Sequence, residues 1–487
     1  MNWALAAACA AASVAAGLRW LRVAQREHYL PWSASRFQWK WWISSPANMV
    51  LAVASLTGVL GSLFHPVWGF LVPLAQIGPF GLPVRGVTSP LAWTSRLRRV
   101  AIVSAVVFAA GIAIGLVRDE TVLVVGSLFF LPLIVDIALW VLAPVEKRLG
   151  TQWVERAASK LQAVGADVVA ITGSYGKTTT KNYVAHLVGA AKRTVASPAS
   201  FNNRMGLARA INENLVPGTE VFVAEMGAYG PGEIAELCAW IPPKVAAMVA
   251  IGPVHLERFK TVENIVRAKS EILDRAGVGV ICVDHPLLAE LARERASTMR
   301  IIEVSTGDGI TIEGERVADI PEGVFGANLA VALGICRALD IDVTDVLPRI
   351  GDLPTAEHRQ SVMTAGGGFT IIDNTFNSNP AGAASALAAL VEAGSEGKTA
   401  VITPGMVELG PVQKEENMEF AAVASAQVDH FVIVGRTNRP YLLDGSVNGK
   451  ASVTVVDSRD EAVEWARANL GPGDAVLYEN DLPDHYP

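Results

Sequence analysis

The sequence has few cysteines and no excess of basic residues, and both features exclude certain classes of protein. Its four cysteines show no paired spacing, so we expect buried thiols in a reducing compartment rather than a disulfide framework or a zinc site. The formal net charge of the 487 residues is −7. This balance argues against a nucleic acid as partner.

Apolar residues concentrate near the start of the chain, where the first 145 residues hold nine of the twelve tryptophans. Spanning a membrane takes about 20 apolar residues. Five apolar stretches come near this length: 3–20, 48–64, 66–80, 99–117 and 121–143. The second and third are short and are interpreted as a hairpin that turns at 64–66. We therefore predict a transmembrane helical anchor of about five spans over 1–148.

Basic residues follow the first, third and fifth stretches, whereas the opposite side holds only His65 and the Arg-Asp-Glu turn at 118–120. The positive-inside rule then predicts a multi-pass protein of the cytoplasmic membrane, with everything after the anchor in the cytoplasm. A cleaved signal peptide is the alternative for the first stretch, but that stretch lacks a basic start and further spans follow it. The basic and aromatic segment 25–42 is interpreted as an interfacial loop, or as a contact to lipid phosphates.

From about residue 150 onward, short β-branched runs alternate with helical patterns, which predicts parallel sheets with right-handed crossovers. Gly, Pro and charged residues interrupt the pattern at 351–360. We therefore expect an α/β fold with a central domain over 149–352 and a C-terminal Rossmann-like domain over 353–487. The predicted strands are DVVAIT, EVFVAEM, VAAMVAIG, VGVICV, FTIID, TAVITPG, DHFVIVG, SVTVV and DAVLYE.

The run ITGSYGKTTT at 171–180 indicates a phosphate-binding loop between a strand and a helix. Gly173 and Gly176 let the backbone bring its N–H groups close to phosphate oxygens at a helix N-terminus. Lys177 can reach the terminal phosphates, and the Thr178 hydroxyl can bind Mg²⁺. A strand, turn and helix with an incidental lysine is the alternative.

The short Gly-x-x-Gly-Lys-Thr spacing resembles the loop of the Mur ligases, ATP-dependent amide-forming enzymes of cell-wall synthesis. Within that family the motifs are most similar to the branch that adds D-alanyl-D-alanine to a UDP-muramoyl tripeptide. Seven further motifs follow in the family's order: SFNNRMGLARAI (200–211), VAEMGAYGPGEIAEL (223–237), GPVHLERF (252–259), RAKSEIL (267–273), HRQ (358–360), DNTFNSNP (373–380) and PGMVELG (404–410).

The resemblance implies a set of ATP and substrate contacts. The implied ATP-binding residues are Gly173, Ser174, Tyr175, Gly176, Lys177, Thr178, Thr179, Asn328 at the adenine, and Arg359, Asp373 and Asn377 at the C-terminal domain. Asn202 and Asn203 match the family's substrate loop. Lys177, Lys269, His255 and Arg359 match residues of the family's catalytic machinery.

The resemblance also implies two Mg²⁺ ions, held by Thr178, Glu225, His255 and Lys269. Glu225 ends a buried strand, where an ionised carboxylate needs a partner. An ammonium beside two cations would be repelled, and the family's matching lysine is carbamylated by CO₂, so carbamylated Lys269 is expected. An ion pair of Lys269 with Glu271 or Glu263 is the alternative.

The implied reaction transfers the γ-phosphoryl group of ATP to a carboxylate, and an amine then displaces phosphate to form an amide. A membrane domain stands where the family has its UDP-sugar-binding domain, so the acid is expected to be a muramoyl peptide or a lipid-linked precursor. The amine is expected to be an amino acid or a dipeptide. The ending LYENDLPDHYP replaces the family's Lys-Gly-Ser, and Glu479, Asp481 and Asp484 would favour a cationic amine unless they form a solvated tail.

Three other functions stay open on the sequence alone. A membrane-bound poly-γ-glutamate-type synthetase has a similar ATP core and N-terminal spans, although its motifs match less well. A membrane NTPase for transport or signalling is a second, disfavoured because the apolar stretches hold almost no charge. A nucleotide-binding scaffold without turnover is the third. The sequence departs from the family at Gly252 and in lacking the His-Asn pair that usually precedes the adenine-binding asparagine.

Overall fold

A computed structural model describes residues 1–86, 90–354, 361–365, 367–375, 378–394, 397–483 and 485–487. Its first part is helical and contains a 3₁₀ turn at Pro66–Phe70. The helices are α1 (Asn2–Arg26), α2 (Ser33–Trp42), α3 (Pro46–Gly61), α4 (Leu71–Ala75), α5 (Ser95–Val117), α6 (Thr121–Phe129) and α7 (Leu131–Val164). Their buried side chains form one apolar core around Leu5, Trp20, Phe37 and Val124.

By length and composition, two described helices can cross a membrane, α1 and α5, or up to four if each bent helix pair counts as one span. One bent pair joins α2 and α3 at 116°, and the other joins α6 and α7 at 68°. The third predicted span is wrong, because 66–80 holds only the 3₁₀ turn and α4, which together cover Pro66–Ala75. At ~1.5 Å per residue such a segment is too short to cross a bilayer.

Asp136 on α7 is fully buried and holds the start of α2. Its carboxylate accepts hydrogen bonds from Ala34 N at 3.1 Å and Ser35 N at 2.8 Å, and from Ser35 Oγ at 2.6 Å. The residue before α2 is Trp32, whose side chain provides no cap. A carboxylate from another helix therefore satisfies the free N–H groups of the first turn of α2.

The central part is an α/β unit around an eight-stranded sheet in the order β2-β3-β1-β4-β5-β6-β7-β8. Strands β2 to β6 are parallel, and β7 and β8 are antiparallel to their neighbours. The elements are β1 (Asp167–Thr172), α8 (Lys177–Val188), β2 (Thr194–Ala196), α9 (Arg204–Asn214), β3 (Val221–Glu225), α10 (Glu233–Trp240), β4 (Val245–Met248), α11 (Leu256–Phe259), α12 (Val262–Ser270), β5 (Val278–Cys282), α13 (Pro286–Arg295), β6 (Arg300–Ser305), β7 (Ile310–Ile312), β8 (Glu315–Ala318), α14 (Gly326–Ala338) and α15 (Val343–Val346).

The C-terminal part has a six-stranded sheet in the order β13-β12-β11-β14-β10-β9, parallel except for β9. Its elements are β9 (Ser361–Thr364), β10 (Thr370–Asn374), α16 (Pro380–Ala393), β11 (Thr399–Thr403), α17 (Gln413–Gln427), β12 (His430–Val434), α18 (Arg439–Ser446), β13 (Ser452–Val456), α19 (Arg459–Asn469) and β14 (Ala475–Glu479). All nine predicted strands are present, and the α/β fold is confirmed. Because α7 continues across the 148/149 boundary, the domain limits remain predictions.

Residues 485–487 return to the helical part. The indole N–H of Trp41 donates to the carbonyl of His485 at 2.9 Å, and His485 Nε2 lies 3.1 Å from Glu27 Oε1. The rings of Phe37 and Tyr486 meet edge to face with centroids 5.0 Å apart. The tail thus fastens the C-terminal unit to α1 and α2.

We predict that replacing Asp136 by Ala destabilises the helical part by about 1 to 3 kcal/mol, because the buried N–H of Ala34 and the half-buried N–H of Ser35 lose their acceptor. Thermal unfolding of the detergent-purified protein measures the change. The control Glu120→Gln alters an exposed carboxylate in the same part. If the Asp136→Ala protein unfolds at the same temperature as the wild type, water can replace this cap.

Candidate active site

The candidate site forms where three central parallel strands end. β1 lies between β3 and β4, and the register pairs Ile171 with Glu225 and Thr172 with Met248. The carboxyl ends of these strands therefore meet at one edge of the sheet, where α/β proteins bind ligands. The phosphate loop follows β1, Glu225 ends β3, and the segment with His255 follows β4.

The phosphate loop turns sharply into α8 at Gly176. This residue has a φ of +76°, which favours glycine, and a Cβ atom there would lie 2.1 Å from Asn328 Oδ1. The implied adenine contact thus lies against the loop, at the start of α14. The Lys177 ammonium donates to the carbonyls of Gly173 at 2.9 Å and Ser174 at 3.3 Å, inside the loop.

Glu225 is the centre of a buried polar cluster, with 3% of the residue exposed. Its carboxylate accepts hydrogen bonds from Thr178 Oγ1 at 2.8 Å and from Asn202 Nδ2 at 3.1 Å. Lys181 Nζ lies 3.7 Å from the same carboxylate and is also buried. The structure therefore brings together a predicted phosphate-loop residue, a predicted metal ligand and a predicted substrate residue.

Asn203 has a different place from Asn202. Its side-chain oxygen accepts a hydrogen bond from Gly206 N at 3.0 Å and caps the N-terminus of α9. In the described structure, the Asn203 side chain therefore contacts α9. This hydrogen bond also fixes the turn that holds Asn202.

Lys269 on α12 is 2% exposed. Burial, reinforced by the charge of Lys177, holds the pKa of the Lys269 ammonium well below its ordinary value. Glu271 accepts hydrogen bonds from Gly232 N at 2.7 Å and Ala235 N at 3.0 Å and so caps α10. The alternative of an ion pair with Glu271 or Glu263 is therefore wrong, because Glu271 caps α10 and Glu263 is exposed whereas Lys269 is buried.

His255 has a φ of +52°, an unusual backbone conformation for a residue that is not glycine, directly before α11. Its Nδ1 is hydrogen-bonded to the Glu408 carboxylate of the C-terminal part. Burial alone would raise the pKa of Glu408, but the hydrogen bond with His255 and the charges of Arg258 and Arg36 hold it below its ordinary value. Glu408 is thus held ionised beside a predicted metal ligand.

Tyr175 in the phosphate loop explains the departure at Gly252. A Cβ atom on residue 252 would lie 2.3 Å from Tyr175 Cε2 and 2.5 Å from its hydroxyl oxygen. Burial raises the pKa of Tyr175 above its ordinary value. The tyrosine ring occupies the space that a side chain at 252 would need, so the two residues are sterically coupled.

The C-terminal part adds Asp373 at the end of β10, whose carboxylate accepts from Thr375 N at 3.0 Å and Thr375 Oγ1 at 2.6 Å. Arg359 and Asn377 lie outside the described residues, as does Asp484. A cavity of about 510 Å³ extends along the carboxyl ends of β10 to β14 and is closed on one side by Trp41 of the helical part.

The predicted role of the acidic ending in binding a cationic amine is not supported. Glu479 is 1% exposed and accepts from Asn374 Nδ2 at 2.6 Å and from Ser378 Oγ. Asp481 is paired with Arg459 at 2.6 Å. Asn480 has a φ of +67°, a backbone conformation that asparagine tolerates better than most residues. These carboxylates therefore hold the fold of the C-terminal part.

Two residues of the site were not predicted. Lys181 follows Lys177 by four residues and so lies on the same face of α8, a spacing that the sequence does show. Glu408 belongs to a recognised motif, but its contact joins positions 153 residues apart. No local pattern carries that information.

The donor set fits a nucleotide-bound divalent cation. Among the described residues, no group of three His, Cys, Asp or Glu side chains forms a metal site by itself. The site offers the Glu225 carboxylate, the Thr178 hydroxyl and the His255 imidazole. Mg²⁺ is commonly held in this way, by one or two protein ligands together with phosphates and water.

Comparison with known proteins identifies the central and C-terminal parts. The Mur ligase middle domain matches residues 171–332, and the Mur ligase glutamate ligase domain matches residues 358–478. The UDP-N-acetylmuramoyl-tripeptide–D-alanyl-D-alanine ligase of Mycobacterium leprae is 31% identical over 378 residues, with 66% of this chain and 72% of that protein covered. The enzyme of the same name from Bacillus subtilis is 27% identical, with 66% and 74% covered.

Solved structures show the same fold. MurF from Acinetobacter baumannii superposes with a TM-score of 0.58 at 22% identity, covering 68% of this chain and 77% of that one. MurF from Thermotoga maritima, in complex with ADP, superposes with a TM-score of 0.56 at 25% identity, covering 68% and 80%. A phosphate loop, a buried carboxylate and these matches define an ATP-dependent ligase that forms carbon–nitrogen bonds. The chain belongs to the Mur ligase family and to its peptidoglycan-synthesising, MurF-like side.

We predict that Gly252→Ala weakens ATP binding, because the added methyl group displaces the Tyr175 ring and with it the phosphate loop. Overpacking of this kind typically costs about 1 to 3 kcal/mol. Calorimetric titration with a non-hydrolysable ATP analogue measures it. Tyr175→Gly in the same chain should restore binding. If the double variant binds as poorly as Gly252→Ala, the coupling between the two positions is absent.

Glu479 should make stability depend on pH. Burial raises the pKa of its carboxyl from 4.5 to about 7, although bonds from Asn374 and Ser378 oppose the shift. The folded state then binds more protons than the unfolded state, so this contribution is full below pH 4.5 and is lost as pH rises through 7. We expect Glu479→Gln to gain about 2 to 3 kcal/mol at pH 8 relative to wild type and little at pH 4. Chemical unfolding at both pH values checks this, and a gain independent of pH would contradict it.

Proposed function

We propose that this protein is a membrane-anchored ligase that joins the carboxylate of a lipid-linked peptidoglycan precursor to an amine at the cytoplasmic face of the membrane. The observation that carries the proposal is the helical part, which precedes the matched Mur ligase ranges and reaches the candidate site through Tyr229. His28 stacks on Tyr229 with ring centroids 5.4 Å apart, and Tyr229 meets His255 edge-on at 5.1 Å. A substrate held by the helical part would therefore lie beside the candidate metal ligand.

The outer surface of the helical part supports the membrane anchor. Large apolar side chains on α3, α5 and α7 are more than half exposed, which is costly in water over so wide a surface. Examples are Val50 at 67%, Val53 at 64%, Ile102 at 63%, Val106 at 62% and Trp140 at 62%. Lipid is the partner that suits such a surface, and α5 is long enough to span a bilayer by itself.

The proposed reaction has two steps. An oxygen of the substrate carboxylate attacks the γ-phosphorus of ATP, ADP leaves, and an acyl phosphate forms. The amine nitrogen then attacks the acyl carbon, loses a proton, and inorganic phosphate departs as the amide forms. Lys177 would neutralise charge on the transferring phosphoryl group, and positioning carries most of such catalysis.

Two divalent ions, when bound, would supply further positive charge at the phosphates. Thr178 and Glu225 suit one ion, and His255 and Lys269 suit the other. Lys269 lies buried beside Lys177, so two ammonium groups there would repel each other. Reaction of the Lys269 amine with CO₂ forms a C–N bond, releases a proton and leaves a carbamate anion, which reverses the charge and provides an oxygen ligand.

The cavity at the carboxyl ends of β10 to β14 supports the choice of amine. Its volume of about 510 Å³ suits an amino acid or a dipeptide. Arg436 and Arg459 line it, each close to an aspartate. This mixed charge suits a zwitterionic substrate better than a purely cationic one.

We expect ADP release by the detergent-purified protein only when one acid and one amine are both present. The acids are lipid-linked precursors and UDP-muramoyl peptides, and the amines are D-alanyl-D-alanine, single amino acids and ammonia. Lys177→Ala should lower turnover by about 100- to 1,000-fold, whereas Lys192→Ala, a lysine outside the site, should not.

Other outcomes would redirect the assignment. Turnover with UDP-muramoyl peptides alone would reject the lipid-linked donor but keep the ligase. ATP hydrolysis indifferent to acid and amine would reject the ligase reaction proposed for this chain. Release of the protein from membranes by alkaline carbonate would reject the anchor.

A further inference from the structure

A chain of charged side chains joins all three parts of the protein beside the candidate site. Glu27 and Arg36 come from the helical part, Arg258 from the central part and Glu408 from the C-terminal part. Glu27 Oε2 lies 2.5 Å from Arg36 and 3.8 Å from Arg258, and Arg258 lies 3.8 Å from Glu408 Oε1. The other oxygen of Glu408 reaches His255. The network therefore ends on a candidate metal ligand.

The bond between His255 and Glu408 has a specific chemical consequence. A neutral imidazole carries one proton, and a carboxylate at Nδ1 keeps that proton there, which leaves the Nε2 lone pair free for a cation. Histidine ligands of metals commonly donate their second ring N–H to such a carboxylate. Here the carboxylate comes from a different domain.

Backbone packing fixes the Glu408 segment on the turn that holds His255. Gly410 has a φ of +58°, and a Cβ atom on it would lie 3.0 Å from the carbonyl carbon of Leu256 and 3.1 Å from Glu257 N. The two segments are therefore in direct contact, with no space for a side chain between them. Docking of the C-terminal part and orientation of the histidine occur together.

The helical part stabilises this arrangement from the other side. The Arg258 guanidinium lies 4.6 Å above the Tyr229 ring and is shared between Glu27 and Glu408. Glu27 is buried, with 5% of its side chain exposed. Without Glu27, Arg258 would pair with Glu408 alone and compete with His255 for that carboxylate.

We propose that Glu408 is a positioning residue that sets the ring orientation and tautomer of His255, and that Glu27 and Arg36 hold it in place through Arg258. This inference rests on the proposed role of His255 as a metal ligand. The helical part is thus a structural component of the metal site as well as an anchor. A Mur ligase core separated from it would bind its second cation weakly.

Titration with Mn²⁺ tests the proposal without an activity measurement. Electron paramagnetic resonance of free Mn²⁺ counts the ions bound to the full chain in detergent with a non-hydrolysable ATP analogue. We expect two ions in the wild type, with Glu408→Ala weakening one of them by about 10- to 100-fold. Glu408→Gln keeps an acceptor oxygen and should lose less. Glu419→Ala, an exposed carboxylate on α17, should bind as the wild type does.

Combination with His255→Ala separates positioning from a general effect. If Glu408 acts only through His255, the double variant binds Mn²⁺ no more weakly than His255→Ala alone. Additive losses, or an unchanged affinity in a folded Glu408→Ala protein, would overturn the positioning role while leaving the metal role of His255 intact. Two ions bound at full affinity by His255→Ala would overturn both.

The contribution of the helical part has its own variant. Glu27→Gln should weaken the same ion by about 2- to 30-fold, the range typical of coupling through a network. Glu120→Gln, an exposed glutamate in the helical part, provides the control. An unchanged ion affinity in Glu27→Gln would limit the proposal to Glu408 and reject the link to the anchor.

Discussion

The parallel pairing of β1 with β3 and β4 is the constraint on which the site depends. It places the phosphate loop, the Glu225 carboxylate and the His255 segment at one edge of the sheet. A shift of one residue would turn Glu225 to the opposite face, where Thr178 and Lys181 could not reach it. All five residues of β3 are buried. The packing of its apolar residues therefore fixes the position of the Glu225 carboxylate at the end of the strand.

Burial of that charge explains the polar residues around it. An ionised carboxylate inside a protein requires hydrogen-bond donors and a compensating cation. Asn202, Thr178 and Lys181 supply them in the described structure. Asp136 and Glu479 are buried acids as well, and their partners are backbone N–H groups and neutral side chains instead of cations. Each buried acid therefore holds together two segments distant in sequence.

Local patterns predicted much of this fold. β-branched runs predicted nine of the eleven parallel strands that the structure describes, and the loop motif coincides with the turn from β1 into α8. Five described strands were missed: β2, β6, β7, β8 and β9. Four of them have only three or four residues, too few for a period to show, whereas β6 has six residues that include the charged Arg300 and Glu303. The lengths of the apolar stretches predicted five spans. In the described structure, bends between α2 and α3 and between α6 and α7 divide this apolar sequence into shorter helices. The coupling of Tyr175 to Gly252 and of His255 to Glu408 depends on packing between distant segments, which no single run of residues reveals.

The return of residues 485–487 to the first helices has a consequence for synthesis. His485 and its partner Glu27 are separated by 458 positions. At ~5 to 20 residues per second, the ribosome adds His485 about 25 to 90 s after it has added Glu27. During this interval Trp41 and Glu27 lack their partners from the tail. The helical part therefore reaches its final packing only after the catalytic units have been translated, although it is made first.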